Sequence, residues 1–232
     1  MPDHDADLRV CHLGVVDYRA ALDLQARLRD ARQAGELPDT LLLLEHPPVY
    51  TRGRRSEPGE LPMGEDWYRM QGIEIVPTDR GGKLTYHGPG QLVGYPIMHI
   101  SDVVAYLRTM ERAIVASLHD AGVEAGPRDG LTGVWVGERK IGSIGVHVSR
   151  GVTTHGFAIN VENDLQPFEW VVPCGLEGVQ MTSVARETAA PAPGILPRFR
   201  ELVARRFARA FGRRARTVAA ADLEAARVPL AG

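Results

Sequence analysis

GVWVGERKIGSIGVHVSRGVTTHGFAINV, residues 133–161, is the stretch that decides the fold. Gly133-Val134-Trp135-Val136 is short and apolar, Gly137-Glu138 is a two-residue break, and the run from Arg139 alternates as far as Val148. Two β-prone runs joined by a two-residue glycine turn predict a β-hairpin. A third run, from Thr153 to Val161, extends it into an antiparallel sheet. Period-two alternation groups Lys140 with Gly142, Ile144 and Val146 on one face and leaves His147 on the other. A lysine on an apolar face is unusual because burial penalises its charged form, whereas a hairpin-edge lysine with its amine in water is common.

Upstream, Val103, Leu107, Met110, Ile114 and Leu118 recur every three or four residues, which predicts an amphipathic helix over 102–121 that Gly122 ends. Residues 8–13 read as a strand. Asp17 can cap a helix carrying Tyr18, Leu22, Leu24 and Leu28 that stops near Gly35. Four consecutive leucines, 41–44, read as a buried strand, and residues 73–76 and 91–97 as further strands, with a Gly, Pro and charge-rich loop over 52–64. Downstream, an Ala/Pro-rich linker over 186–197 leads to a terminal helix with Phe199, Val203, Phe207 and Phe211 inward and Arg198, Arg205, Arg206 and Arg209 outward. The expected architecture is α/β (α+β): a mixed, largely antiparallel sheet flanked by helices. One domain is expected over 1–232, with 190–232 a helical extension.

The chain has 232 residues, 44% of them hydrophobic and 24% charged, and a formal net charge of -2. This is an ordinary globular composition, and the charge argues against nucleic-acid binding by global basicity. The opening Met1-Pro2-Asp3-His4-Asp5 lacks the basic start of a signal peptide, and no apolar run reaches the length of a membrane span. Cys11 and Cys174 are too few for a disulfide framework, so a reducing cytoplasm is expected. The eight histidines show no metal-ligand spacing, so no metal is expected. His4, His12 and His119 read as surface residues, while His87 and His155 sit among glycines and hydroxyls.

Two further segments carry candidate chemistry. Residues 80–91 pack four glycines, Arg80, Lys83, Thr85, Tyr86 and His87 into a short span. Such a loop can bring backbone N–H groups close to a ligand, and its cations favour an anionic one, although a tight turn before a strand has the same composition. The GxxxxGK[ST] spacing of a phosphate loop is absent. In the second segment Cys174 stands between Pro173 and Gly175, a context that presents a thiol at a turn. A thiol is mostly protonated at neutral pH and needs a base or cation beside it to act as a nucleophile. Lys140 can supply that base. Cys11, inside an apolar strand pattern, reads as inert.

Taken together, RGGKLTYHGPGQLVGYPI (80–97), the 133–161 stretch and VVPCGL (171–176) closely resemble the lipoyl(octanoyl) transferase family in order and spacing. TLLLLEHPPVYTRGRR (40–55) is similar to its N-terminal half. The resemblance spans about 10–185 and fades beyond about 190. It implies the biotin/lipoate ligase catalytic fold, Cys174 as the acyl-carrying nucleophile and Lys140 as the residue that lowers its pKa. It also implies an acyl pocket formed by Arg80, Gly81, Gly82, Lys83, Leu84, Thr85, Tyr86, His87, Ser143, Ile144, Gly145, Gly156, Phe157 and Ala158. Within that pocket the glycines would leave room for the tail, so that enlarging Gly145 would favour shorter acyl chains.

The donor implied is octanoyl acyl carrier protein, which Arg52, Arg54 and Arg55 can attract. The acceptors implied are lipoyl domains of 2-oxoacid dehydrogenase complexes and the glycine cleavage H protein, with no cofactor, nucleic acid or membrane and a monomeric enzyme. Three other readings are an ATP-dependent lipoate or biotin ligase, which lacks the cysteine nucleophile, a cysteine hydrolase, and a non-catalytic binding module for acyl carriers or lipoyl domains.

Overall fold

The computed structural model describes residues 7–171, 179–188 and 194–224. Its elements begin with β1 (Asp7–Val15), α1 (Tyr18–Gln33), β2 (Thr40–Glu45), β3 (Val49–Arg52), α2 (Glu65–Met70), β4 (Glu74–Pro77), β5 (Thr85–His87) and β6 (Gln91–Ile97). They continue through α3 (Val103–Asp120), β7 (Gly126–Arg128), β8 (Leu131–Val136), β9 (Arg139–Ser149), β10 (Val152–Asn160), α4 (Gln166–Glu169) and α5 (Val184–Glu187). The last are α6 (Ile195–Ala210), β11 (Arg214–Val218) and α7 (Ala221–Glu224).

Eight strands form one sheet in the order β11-β1-β2-β6-β10-β9-β8-β7. The β11/β1 and β1/β2 pairs are parallel and the rest antiparallel, so the expected mixed, largely antiparallel sheet is the one observed. A smaller sheet, β4-β3-β5, stands beside it. The central strands are covered on both faces. Leu41, Leu43, Leu92, Phe157 and Ile159 pack against Met110, Ile114 and Leu118 of α3 and Phe199, Val203 and Phe207 of α6. Leu42, Leu44, Val93 and Ile97 pack against Ala21, Leu28 and Ala31 of α1. This two-sided burial explains the uninterrupted leucine run at 41–44. Asp17 caps α1 as the sequence implies, its carboxylate accepting from the Ala20 N–H, and Asp102 caps α3 in the same way, accepting from the Val104 and Ala105 N–H groups.

The hairpin departs from simple alternation at one residue. Val134 pairs with Gly142 but Trp135 pairs with Lys140, which leaves Ile141 as an extra residue in β9. A bulge of this kind slips the strand by one, and a one-residue slip exchanges faces. Ile141 is fully buried in the cluster beneath α3, and a Cβ on Gly142 would point at Ile114 of that helix. Lys140 therefore leaves the face of Gly142, Ile144 and Val146 and joins Trp135, Ser143, Gly145 and His147 on the opposite one. Both the expected grouping of Lys140 and the expected separation of His147 are corrected by this bulge.

Candidate active site

The glycine-rich segment after β4 folds back over the side of the sheet to which Lys140 belongs. Its Gly81 N–H donates to the Val146 carbonyl at 3.0 Å, while Arg80 and Gly82 carbonyls accept from the Arg54 and Arg55 N–H groups, each at 3.0 Å. The approach is close enough to demand glycine beneath it: a Cβ on Gly145 would lie 2.7 Å from the Gly81 oxygen. Gly156 answers a different need, since a Cβ there would run into the Gly94 carbonyl and Pro96 of β6. Of the loop amides, that of Gly81 is held by Val146 and that of Leu84 donates to Glu60 at 3.2 Å.

A narrow crevice opens between this loop and β9 and β10. It is lined by Arg80, Gly81, Gly82, Lys83, Leu84, Thr85, His87, Lys140, Ser143, Ile144, Gly145, Gly156, Phe157 and Ala158, together with Tyr18, Tyr95 and His155. Segments as far apart in sequence as Tyr18 and Ala158 thus converge on one space. Tyr86 is turned away. Strand β5 alternates, so Thr85 and His87 face the crevice while the Tyr86 ring packs against Tyr50 and Phe168, with centroids 5.5 and 5.4 Å apart. Cys174 lies outside the described residues.

The loop cations are engaged by the protein itself. Arg80 is buried, and its guanidinium donates to the Thr51 hydroxyl at 2.8 Å and to the Gly81 carbonyl at 3.0 Å, which organises the loop from within. Lys83 pairs with Glu57 at 2.7 Å.

Lys140 is only 4% exposed. Its N–H donates to the Gln180 carbonyl and its own carbonyl accepts from the Thr182 N–H, both at 2.9 Å. Strand β10 ends at Asn160, near its pairing with Gly142, and residues 180–182 take the vacated place beside Lys140 in parallel orientation. A buried polar chain ties this segment to the glycine loop. The Asn160 side chain donates to the Thr182 carbonyl at 3.1 Å and accepts from Gln91 at 2.9 Å, and Gln91 in turn accepts from His87 Nδ1 at 2.7 Å.

At the other end of the crevice His155 adopts a left-handed backbone, with φ 57°, which is uncommon outside glycine. Its N–H donates to the Gln25 side chain at 2.7 Å and its Nε2 lies 2.6 Å from Asp79, while the buried Nδ1 has no hydrogen bond among the described residues. The His155 contact holds the Asp79 carboxyl down at about 2, and burial lowers His155 in spite of that partner. A neutral imidazole donating to a carboxylate fits both shifts. Below the loop, His46 Nδ1 donates to the Val16 carbonyl and Nε2 accepts from the Tyr95 hydroxyl, both at 2.7 Å. Burial pushes His46 down to about 4, His87 well below its usual range and Tyr18 up to about 12, so these three side chains stay uncharged at neutral pH beside the buried Arg80 guanidinium.

The sequence marks out His155 without giving it a role, and does not mark Tyr18 and Tyr95 as crevice residues. The available signal was a tyrosine at the start of a helix stripe, and another inside an apolar strand, each carrying a hydroxyl that needs a partner. Elsewhere Cys11 is fully buried, His119 is exposed and His12 is half-buried beside Glu201, not a surface residue; His4 lies outside the described residues. Among the described residues no three His, Cys, Asp or Glu side chains converge as metal ligands would, and no helix is long and apolar enough to cross a membrane.

The Lipoyl protein ligase A/B catalytic domain family model matches residues 17–208. The octanoyltransferase of Solibacter usitatus is 50% identical over 203 residues, covering 86% of this chain and 90% of that protein. The octanoyltransferase of Acidobacterium capsulatum is 42% identical over 222 residues, covering 88% and 90%. Among solved structures, lipoate-protein ligase A bound with ATP superimposes with a TM-score of 0.74 at 19% identity, covering 95% of this chain and 92% of that one. A putative lipoate protein ligase from T. acidophilum with bound lipoic acid gives 0.73 at 18%, with the same coverage. These structural likenesses are likenesses of fold, and the closer sequence matches carry the finer assignment: the chain belongs to the octanoyltransferase family, within the lipoyl protein ligase A/B catalytic domains.

Proposed function

We propose that this enzyme moves an octanoyl group from octanoyl acyl carrier protein, through a thioester on Cys174, to a lysine of lipoyl domains in protein lipoylation. The acceptors in this reading are the lipoyl domains of 2-oxoacid dehydrogenase complexes and the glycine cleavage H protein. The enzyme is read as a cytoplasmic monomer with one catalytic domain over 1–232. Relatives named octanoyltransferase at 42–50% identity support the transfer. The observation that carries the chemistry is a buried lysine lining the crevice, with its main chain bonded to residues 180 and 182, close in sequence to Cys174.

In the first half-reaction the Lys140 amine takes the Cys174 thiol proton, and the thiolate attacks the carrier thioester carbonyl. The tetrahedral oxyanion collapses, expelling the phosphopantetheine thiolate, which takes the proton back from the Lys140 ammonium. In the second, the neutral amine of the lipoyl-domain lysine attacks the octanoyl thioester, Lys140 accepts its proton, and Cys174 leaves as thiolate and is reprotonated. The product is an amide. The donor thioester carries the activation, so no ATP, metal or cofactor enters. Burying about seven carbons of the tail at about 0.8 kcal/mol each contributes roughly 5 kcal/mol of binding.

Intact mass after mixing with octanoyl carrier protein tests this reading. We expect an octanoyl adduct that neutral hydroxylamine removes, absent in Cys174→Ser and retained in Cys11→Ser, whose thiol is buried and pushed up by that burial. An adduct on Cys11, or one that persists in Cys174→Ser, refutes the thioester assignment. Product from free octanoate and ATP would indicate the ligase chemistry instead.

A further inference from the structure

The bulge at Ile141 brings Lys140 against two residues of β8 that do not line the crevice. Trp135 is its cross-strand partner, and the Lys140 Nζ lies over the indole ring, 5.5 Å from the centroid. Gly133 is next on the same face. Its φ of 127° lies in a region that favours glycine, and a Cβ there would fall 2.7 Å from the Lys140 Cε, 3.4 Å from its Nζ and 2.6 Å from the Gly142 carbonyl oxygen. The lysine side chain therefore occupies the space that any other residue at 133 would claim.

We propose that Gly133 and Trp135 are positioning residues that seat the Lys140 amine: Gly133 by leaving room for the side chain to lie along β8, Trp135 by offering a π-face to its ammonium form. The inference rests on Lys140 acting as the base described above. Each half-reaction passes through a protonated Lys140, and an aromatic face stabilises that cation where burial removes water. The seat is preorganised because both residues sit on a strand paired across the hairpin, so no loop has to close to form it. Among the described residues the charged groups packed around it include Arg128, whose guanidinium also lies over the Trp135 ring at 5.5 Å and pairs with Glu138, and Arg139, paired with Glu187.

The test compares Lys140→Ala, Trp135→Leu, Trp135→Phe and Gly133→Ala by the pH dependence of Cys174 alkylation and by single-turnover acylation with octanoyl carrier protein. Trp135→Leu should slow acylation about three- to thirty-fold, the range of a partly desolvated cation–π contact, through kcat with KM nearly unchanged, and should move the alkylation profile to higher pH. Trp135→Phe, which keeps a ring, should recover most of the rate. Gly133→Ala should behave like Trp135→Leu or worse. Because its backbone is strained, the double variant Gly133→Ala/Lys140→Ala serves as its control: no slower than Lys140→Ala alone if Gly133 acts through the lysine, and slower if its role is merely structural.

If Lys140→Ala shifts the profile and Trp135→Leu does not, the seat is refuted and the base stands. If Lys140→Ala shifts nothing, the base and its seat are both refuted.

Discussion

Gly145→Ala separates two uses of the crevice glycines. From sequence, enlarging this residue should fill the acyl tunnel and favour shorter chains. The geometry redirects the expectation, because the new Cβ would meet the Gly81 carbonyl oxygen at 2.7 Å, with the Arg80 Cδ at 3.6 Å. Ordinary contact begins at 3.4 Å, so the loop carbonyl must retreat by about 0.7 Å, and it is backbone, not the end of a flexible side chain. That movement pulls on the Gly81 N–H bond to Val146. Overpacking of this kind costs about 1–3 kcal/mol. Expressed in full in the acylation transition state, that cost slows acylation by roughly 5- to 150-fold. The loss should be shared by hexanoyl and octanoyl donors, since the loop shifts as a unit. Competition between the two carrier proteins, scored by acyl-enzyme mass, reads the ratio, and hydrogen exchange at the Gly81 amide reads the loop. A changed acyl ratio with Gly81 protection intact would refute the argument and return Gly145 to the floor of the tunnel.

Three other outcomes follow from the geometry. His46 is held at about 4 when folded against 6.5 when free, so the unfolded chain gains the proton first as pH falls. Its stability contribution is complete above pH 6.5 and is lost towards pH 4, about 3 kcal/mol by linkage; urea midpoints at pH 7 and 4.5 should differ accordingly and less so in His46→Gln, and equal slopes in the two proteins would contradict the assignment. The fully buried Asp39 carboxylate pairs with Arg32 at 2.6 Å and Arg213 at 2.7 Å and accepts from the His99 N–H at 2.9 Å. Asp39→Ala should cost about 3 kcal/mol in denaturant unfolding by stranding two guanidiniums, and a loss under about 1 would show that the clamp is unimportant. Arg54 and Arg55 are exposed, with no ion pair among the described residues, on the segment bonded to the glycine loop. Exchanging both for Glu should lower kcat/KM for octanoyl carrier protein at low salt and much less at high salt, and an equal loss with octanoyl-pantetheine would point to loop distortion instead.

Local pattern determined much of this protein. The hairpin and third strand of residues 133–161, helices α1, α3 and α6, the Asp17 cap and most inward-facing residues are legible in the sequence, because periodicity and capping act within a few residues of chain; Val103, at the first turn of α3, departs from its stripe and is exposed. The order and spacing of the glycine loop, Lys140, Ser143 to Gly145 and Gly156 to Ala158 were likewise enough to propose one site. Strands β3 and β5 are too short for any period to show. β11, Arg-Ala-Arg-Thr-Val at an edge, carries no apolar face and exists by pairing with β1 some 200 residues away.

What tertiary structure alone decided is finer and closer to the chemistry. One extra residue, Ile141, determines which face Lys140 occupies, and a bulge leaves no mark in an alternating sequence. The left-handed turn at His155 aims its ring at Asp79, and the pairing of residues 180–182 with Lys140 depends on β10 ending where it does. Register, bulges and edge pairing are settled by competition among strands distant in sequence, each worth little until the whole sheet is assembled. A sequence therefore names the groups that meet in this crevice, while the sheet sets which of their atoms face one another.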